Sequence, residues 1–320
     1  MSKAAEHRWL KPLLAACVFG VAAQGASAQS LYRYRDASGA WVYSDRQPDT
    51  AVGELEQYAY TPDLERPEVT IERRSIRGGV ALVARNTWHS HVQIAWTIRA
   101  ATNIASEGGA PLSNNAVLEP RSETELLRLV PQERATAMRF ELEYQHIPGR
   151  PGAGHAPEQP YRLPFALASS FPVSQAFPST VTHTDPSSAH AIDFVMPIGT
   201  GVYSARAGVV VDIADEYYAA GLDLNTDLAR ANIVRVLHDD GTMALYAHLN
   251  WNSIRVRPGQ RIGRGEYLAD SGNTGFSSGP HLHFVVHRNI GGAIESLPIQ
   301  FVGAGNAAVR LATGDTATAY

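Results

Sequence analysis

Two histidines separated by a single residue, at the centre of segment 279–284 (Gly-Pro-His-Leu-His-Phe), constrain this chain more than any other feature. Side chains alternate between the two faces of a strand, so an extended segment would place His281 and His283 on the same side. The apolar residues up to Val286 favour a strand, and the Ser-Ser-Gly-Pro sequence before the pair is typical of a turn. Two imidazoles on one face indicate part of a metal site, or a metal ligand beside a general base.

The overall composition is that of a globular protein. The chain has 320 residues, of which 44% are hydrophobic and 18% are charged, and this length is enough for two domains and a linker. Its formal net charge of -4 gives no electrostatic basis for binding nucleic acid, so we expect no nucleic-acid partner.

The first 28 residues have the pattern of a secretory signal peptide. A positive start (Lys3, Arg8 and Lys11) precedes an apolar stretch at 13–23, and an Ala-Ser-Ala sequence ends at Ala28. The apolar stretch is too short to cross a bilayer comfortably and no later one is long enough, so we expect no transmembrane segment in the mature chain. The sequence therefore predicts export to the periplasm or cell envelope, or secretion.

The single cysteine, Cys17, leaves an alternative open. The sequence Leu-Ala-Ala-Cys at 14–17 resembles a lipoprotein processing site, which would leave a lipid on Cys17. Cleavage after Ala28 would instead give a mature chain without cysteine, in which histidine, aspartate or glutamate must hold any metal. A mature chain without disulfides is compatible with an exported bacterial protein in the oxidising cell envelope.

Three predicted parts follow the signal peptide. Aromatic and polar residues alternate on both sides of an Asp-Ala-Ser-Gly turn within 29–50, which indicates a β-hairpin module. An acidic, proline-containing connector at 51–67 is predicted to be a linker. Short segments of period-two alternation, including 92–98 and 138–144, predict an immunoglobulin-like β-sandwich domain over 68–165.

The C-terminal third of the chain is rich in histidine. Seven of the twelve histidines lie between His183 and His287, in a region of predicted strands and tight turns that includes a hairpin with an Asp-Asp-Gly turn. This density of turns predicts a compact all-β domain, barrel or sandwich, over 166–303, with a candidate helical insertion at 217–230. Residues 304–320 are predicted to form a flexible tail.

Five side chains in this region could carry hydrolytic chemistry. A zinc hydrolase needs three protein ligands with the fourth position open to water, a base for the proton of that water, and a donor that stabilises the oxyanion. Two imidazoles and one carboxylate leave the metal positively charged, so it can still acidify the water. The residues that could fill these five roles are His183, Asp193, His248, His281 and His283.

These segments resemble the lysostaphin/LytM-type zinc metallopeptidases, which cut peptidoglycan cross-links. The resemblance covers roughly 171–301 and consists of several separate motifs in the order of the family. The motifs are Ala-Ile-Asp-Phe at 191–194, Pro-Ile-Gly-Thr at 197–200, Ala-Gly-Val-Val at 207–210, Tyr-Ala-His-Leu at 246–249, Ser-Gly-Asn-Thr-Gly at 271–275 and Gly-Pro-His-Leu-His-Phe at 279–284.

The resemblance implies one zinc ion per chain and a role for each of the matching residues. It implies that Asp193 and His283 are zinc ligands. It also implies that His281 is the general base and that His248 stabilises the oxyanion. The family usually has its first ligand four residues before the aspartate, where this chain has Ala189 instead.

The first zinc ligand is therefore a choice between two histidines. His190 stands three residues before Asp193, an odd spacing that puts it on the opposite face of an extended segment. His183 stands ten residues before Asp193, an even spacing, with a candidate loop between them. Some family members resemble this arrangement. We expect His183 to be the ligand, with His190 as the alternative.

The expected function is that of an exported zinc endopeptidase that hydrolyses the peptide stems and cross-bridges of peptidoglycan. The rival expectation is a catalytically inactive relative that activates other cell-wall hydrolases, as family members that have lost metal ligands do. Retention of the aspartate, the histidine pair and the fourth histidine argues against the rival, because a non-catalytic scaffold has no chemical need for all of them. The sequence does not specify how many copies assemble.

Overall fold

A computed structural model describes residues 29–35, 41–44, 55–60, 66–178 and 181–320. The predicted signal peptide and the lipidation site at Cys17 lie outside the described residues. The chain divides into two compact units, Met1–Asp63 and Leu64–Tyr320.

The first unit contains a small antiparallel sheet. Its strands are β1 (Gln29–Arg35), β2 (Trp41–Ser44) and β3 (Glu56–Tyr60), in the order β2-β1-β3. The pairing of β1 with β2 is the predicted hairpin. The strand β3 lies within the segment predicted to be a linker, so this part of the linker prediction is wrong.

The second unit begins with two antiparallel sheets. One has the order β4-β5-β9-β7 and the other the order β10-β6-β8. Their core is built from alternating residues such as Val92, Ile94, Trp96 and Ile98 of β6, which are all buried. The elements are β4 (Val69–Ile76), β5 (Gly79–Asn86), β6 (Val92–Thr102), β7 (Ala105–Ser106), the 3-10 turn Glu107–Gly109, β8 (Ser113–Leu118), β9 (Ser122–Val130) and β10 (Arg139–Pro148).

These two sheets fit the predicted sandwich. Leu82 of β5, Ile98 of β6 and Leu129 of β9 belong to one buried cluster, which joins the two sheets. The immunoglobulin-like assignment stays a prediction.

The remaining strands are short and are separated by tight turns. They are β11 (Ser170–Gln175), β12 (Ile192–Phe194), β13 (Gly201–Tyr203), β14 (Gly208–Ala214), β15 (Ala220–Gly221), β16 (Ile233–Leu237), β17 (Met243–Ala247), β18 (Arg261–Ile262), β19 (Tyr267–Asp270), β20 (Gly275–Phe276), β21 (Leu282–Asn289), β22 (Ile294–Ser296), β23 (Phe301–Val302), β24 (Ala308–Val309) and β25 (Thr316–Thr318). The insertion 217–230 contains β15 and a 3-10 turn at Leu228–Arg230 rather than an α-helix, so the suggestion of a helical insertion is wrong.

A nine-stranded sheet organises this region. Its order is β18-β14-β16-β17-β21-β12-β11-β25, and β22 also pairs with β21. One face packs on a core that includes Tyr246, Phe284 and Phe301, which are fully buried. The alternation along β21 puts Leu282, Phe284 and Val286 on this core face, so His283 faces the other way.

Cross-strand partners form rows across the face opposite that core. Asp193 of β12 and Ala247 of β17 both pair with His283 of β21, and cross-strand partners point to the same face. Met243 pairs with His287 four residues further along these strands, so it lies on that same face. The strand register therefore fixes where the polar side chains of this face meet.

The sandwich packs on the same face of the sheet as Asp193. Met243 and Val211 belong to one buried cluster with Trp88 and Trp96 of the sandwich. Both are almost completely buried, with relative exposures of 3% and 0%. The sandwich and the nine-stranded sheet thus share a hydrophobic core.

The C-terminal residues belong to the folded structure. The last strand, β25, pairs with β11, and Ala317 and Ala319 are buried in the main core. The flexible tail predicted for 304–320 is therefore wrong for these residues. In the part of the chain that the structure describes, no helix is long and apolar enough to cross a membrane.

Candidate metal centre and active site

The register of two neighbouring strands brings the first pair of site residues together. Asp193 of β12 and His283 of β21 are direct cross-strand partners. Their side chains meet with Nδ1 of His283 2.9 Å from Oδ1 of Asp193. The sequence separates these residues by ninety positions, so only the antiparallel pairing of β12 with β21 makes them neighbours.

His183 completes a three-residue cluster. Its Nε2 lies 3.2 Å from Oδ2 of Asp193, and its side chain is almost completely buried. One ligand atom from each of His183, Asp193 and His283 lies within 4.8 Å of the other two. These are the three residues expected to bind zinc.

His190, the alternative first ligand, lies outside this cluster. Its ring packs against Phe177 with the ring centroids 4.5 Å apart. Its backbone N–H donates to Oγ of Ser296. The structure therefore brings His183, and not His190, to Asp193.

The donor set of the cluster fits a zinc ion. Two imidazole nitrogens and one carboxylate oxygen are the ligands that zinc takes in hydrolases. Nε2 of His183 and Nδ1 of His283 both lie against the buried carboxylate of Asp193, so the two nitrogens and a carboxylate oxygen are close enough to bind one shared ion. Nδ1 of His183 is buried and has no hydrogen-bond partner within the described residues.

Two further histidines lie beside the cluster, and both are held by backbone carbonyls. Nδ1 of His281 is 2.8 Å from the carbonyl oxygen of Gly279, and Nδ1 of His248 is 2.7 Å from that of Thr274. A carbonyl only accepts, so each Nδ1 carries the proton and each Nε2 keeps a lone pair. The centroids of the His248 and His281 rings lie 4.5 Å apart.

The electrostatics of the site favour a charged Asp193 and a neutral His248. Burial raises the pKa of Asp193, but hydrogen bonds with His183 and His283 outweigh burial and hold this pKa well below its usual range. Burial, with the neighbouring His281 and His283, lowers the pKa of His248 to about 3. At neutral pH Asp193 is therefore a carboxylate and His248 a neutral imidazole.

The backbone also fixes His248. It has a positive φ of 61°, which few residues other than glycine adopt. It directly follows β17, where Ala247 is the cross-strand partner of His283. The strained turn at the end of β17 directs the ring toward the histidine pair.

One polar residue of this site was not identified from the sequence. Nε2 of Gln175 donates to Oδ2 of Asp193 at 2.8 Å. Gln175 ends β11, where it is the cross-strand partner of Asp193. The only sequence signal was that a polar residue ends an alternating segment, which is too common to single out one glutamine.

Two other histidines of this region are buried. Nε2 of His287 lies 2.8 Å from the carbonyl oxygen of Ser187. His238 directly follows β16, with Nδ1 2.8 Å from the carbonyl oxygen of Ala207. Neither belongs to the three-residue cluster.

A cavity of about 850 Å³ lies apart from the three-residue cluster and from His248 and His281. Its lining includes Tyr161, His238 and Arg264, together with Arg206, which forms an ion pair with Asp240. The five predicted site residues are not part of its lining. We therefore assign the candidate site to the histidine cluster, where the titratable groups converge, and not to this cavity.

The fold and the cluster together define a mostly β protein with a candidate metal site of the histidine–aspartate type. Residues 187–295 match the sequence model of Peptidase family M23, so the chain contains a domain of this family. The match includes Asp193, His248, His281 and His283, whereas His183 precedes it.

The relatives that the chain resembles include named peptidoglycan endopeptidases and lysostaphin. The peptidoglycan DD-endopeptidase ShyA of Vibrio cholerae is 41% identical over 92 residues, which are 29% of this chain and 18% of that protein. Lysostaphin of Staphylococcus simulans is 31% identical over 96 residues, 30% of this chain and 17% of that protein. The chain spans less than a third of the length of the curated relatives it matches.

A solved structure of the antimicrobial peptidase lysostaphin from Staphylococcus simulans is also similar. It is 26% identical in sequence, and the match covers 37% of this chain and 43% of that chain, with a TM-score of 0.28.

Proposed function

We propose that this protein is an exported zinc-dependent endopeptidase that hydrolyses the peptide cross-links of peptidoglycan. The observation that carries the proposal is the convergence of His183, Asp193 and His283, whose ligand atoms lie within 4.8 Å of one another. The membership of residues 187–295 in Peptidase family M23 supports it.

The three clustered side chains would hold the metal. A zinc ion at this position would supply Lewis-acid polarisation of an amide carbonyl and would acidify a water molecule. The negative charge of Asp193 favours binding of a cation beside the two imidazoles, and the low exposure of Asp193 and His183 strengthens this attraction.

The two remaining histidines would handle protons. His281 keeps its lone pair at Nε2, which lies 4.0 Å from Oδ1 of Asp193 and so borders the cluster directly. This nitrogen can accept the proton of an attacking water as a general base. His248, whose ring centroid lies 4.5 Å from that of His281, would stabilise the oxyanion of the tetrahedral intermediate when it carries a second proton, on Nε2.

The named relatives and the signal pattern support the proposed substrate and location of this activity. ShyA and ShyB of Vibrio cholerae, both similar to this chain, are named peptidoglycan DD-endopeptidases. The pattern of residues 1–28 supports export to the compartment where peptidoglycan lies. A peptide stem or cross-bridge is thus the substrate that we propose.

The test is digestion of purified sacculi together with measurement of the metal content. We expect about one zinc ion per chain in the wild type, release of muropeptides cut at a peptide bond, and loss of both in H283A. The matched control is H89A, which removes a histidine of the sandwich and should leave zinc content and cleavage unchanged. A folded wild-type protein that binds no zinc and cuts nothing would favour the rival regulatory function instead.

A further inference from the structure

A glutamine outside the family match touches the centre of the proposed metal site. Gln175 ends β11 and is the cross-strand partner of Asp193 in β12. Its Nε2 lies 2.8 Å from Oδ2 of Asp193, the same oxygen that faces Nε2 of His183. Residue 175 lies twelve positions before the start of the segment that matches Peptidase family M23.

The orientation of the Gln175 amide follows from the groups around it. The backbone N–H of Thr182 donates to Oε1 of Gln175 at 3.1 Å, and an N–H can only donate. The opposite end of the amide must therefore be the NH₂ group, which faces the carboxylate of Asp193 and, at 2.9 Å, Oγ1 of Thr182. The N–H of Thr182 requires an oxygen at one end of the amide, and the carboxylate of Asp193 requires an NH₂ group at the other, so both ends of the amide are fixed.

This single amide joins Asp193 to the segment that carries His183. One end bonds Asp193 in the sheet, and the other bonds Thr182, the residue directly before His183. A rotation of the Asp193 carboxylate or a shift of the 181–183 segment would each break a bond to Gln175. A neutral donor restrains the carboxylate without cancelling the charge that a cation requires.

We propose that Gln175 is a positioning residue of the metal site, which orients the carboxylate of Asp193 and fixes the segment that carries His183. This inference rests on the proposed function, because it assumes that these two residues bind a metal. Partners of this kind set the orientation of metal ligands, and their loss typically lowers metal affinity by about 10- to 100-fold.

The experiment measures zinc affinity by competition with a chelator in Q175M, which keeps the length of the side chain but removes the amide. We expect zinc binding about 10- to 100-fold weaker than in the wild type. We also expect an altered absorption spectrum of the cobalt-substituted protein, because the carboxylate would no longer be held in one orientation. The matched control is Q300M, since Gln300 is exposed and does not belong to the three-residue cluster.

Two variants of Thr182 test the second contact. T182V removes the hydroxyl but keeps the backbone N–H and the bond between Gln175 and Asp193, so we expect a smaller loss of zinc affinity than in Q175M. T182S restores the hydroxyl and should restore wild-type affinity. This graded series distinguishes positioning through the amide from a general effect on folding.

The outcomes separate this inference from the function on which it rests. Zinc affinity and a cobalt spectrum in Q175M equal to those of the wild type would overturn the role of Gln175 while leaving the proposed function intact. A lower melting temperature of metal-free Q175M with unchanged zinc affinity would assign Gln175 to folding alone and also overturn it. A wild-type protein that binds no zinc would contradict the proposed function itself.

Discussion

At the scale of single residues, the tautomer of His248 decides what this side chain can do. Its Nδ1–H is engaged by the carbonyl oxygen of Thr274, so Nε2 is the atom directed toward the site. A neutral ring with its proton on Nδ1 offers only a lone pair at Nε2. Stabilisation of an oxyanion therefore requires a second proton on His248, whereas a base would act through the lone pair.

The two roles of His248 predict different results for H248Q. A glutamine amide at this position can donate a hydrogen bond but cannot accept and carry a proton. If His248 is a donor, H248Q should cleave peptidoglycan peptides within about tenfold of the wild-type rate, whereas H248A should lose about 10²- to 10³-fold. The measurement is kcat on a soluble muropeptide with zinc content held equal.

His281 provides the comparison for this pair of variants. A general base cannot be replaced by an amide, so H281Q and H281A should both lose about 10²- to 10⁴-fold. If H248Q proves as inactive as H248A while H281Q keeps activity, the two histidines have the opposite roles from those proposed.

Asp215 gives a pH dependence of stability that does not involve the metal site. Burial raises the pKa of Asp215 to about 6, although the backbone N–H groups of Ser253 and Ile254 partly oppose this. Because the pKa of Asp215 is higher in the folded than in the unfolded protein, its neutral carboxyl group favours the folded state. This contribution to stability is complete below the unfolded pKa near 3.8 and is lost as the pH rises through about 6. The ionised carboxylate thus destabilises the fold at neutral pH.

The substitution D215N should remove this pH dependence. An asparagine oxygen can still accept the N–H of Ser253, which lies 3.2 Å from Oδ1 of Asp215. We expect the stability advantage of D215N over the wild type, in free energy of unfolding, to be larger at about pH 7 than at about pH 4. The increase should be about 1 kcal/mol, after allowance for the partial solvent exposure of Asp215. Urea titrations at both pH values measure the gain, and an equal difference at the two values would contradict it.

The choice between His183 and His190 shows the limit of sequence reasoning at this scale. The odd and even spacings assume an extended segment, but β12 begins only at Ile192. Before it, the backbone N–H groups of Ser188 and Ala189 both donate to the carbonyl oxygen of Asp185, which makes a turn. The spacing argument thus selected the residue that the structure brings to the cluster, but its geometric assumption does not hold there.

At the scale of elements, long patterned strands were predictable and short ones were not. The period-two alternation of 92–98 corresponds to β6. The apolar residues around the histidine pair, which favoured a strand, correspond to β21. The strand β25 has only three residues, and its core contacts come from alanines such as Ala317, so no apolar run marks it. A strand of this kind is formed by its neighbour β11, a tertiary effect that local sequence does not contain.

The pairing of strands also explains why Gln175 was not predicted. The polar contact arises because β11 lies beside β12, in a register that sets Gln175 opposite Asp193. A single sequence gives the strands but not their order or their register. Asp193 and His283 were identifiable as candidate metal ligands only because family motifs surround them.

At the scale of the whole second unit, the sandwich and the nine-stranded sheet cannot be treated as independent. Met243 and Val211 lie within the predicted C-terminal domain, yet they are buried in a cluster that includes Trp88 and Trp96 of the sandwich. Removal of the sandwich would expose these apolar side chains to water. The sandwich is therefore a structural part of the face that carries the candidate site.

This shared core predicts that the two parts unfold together and that M243A weakens both. Truncation of a buried methionine should cost about 2–5 kcal/mol, and the cavity would adjoin sandwich and sheet alike. Hydrogen exchange measured by mass spectrometry should show faster exchange in β6 as well as in β17. The control is L222A, which truncates an exposed leucine (67% accessible) and should leave both strands unchanged. Loss of protection confined to β17 would mean that the sandwich is stable without the shared core.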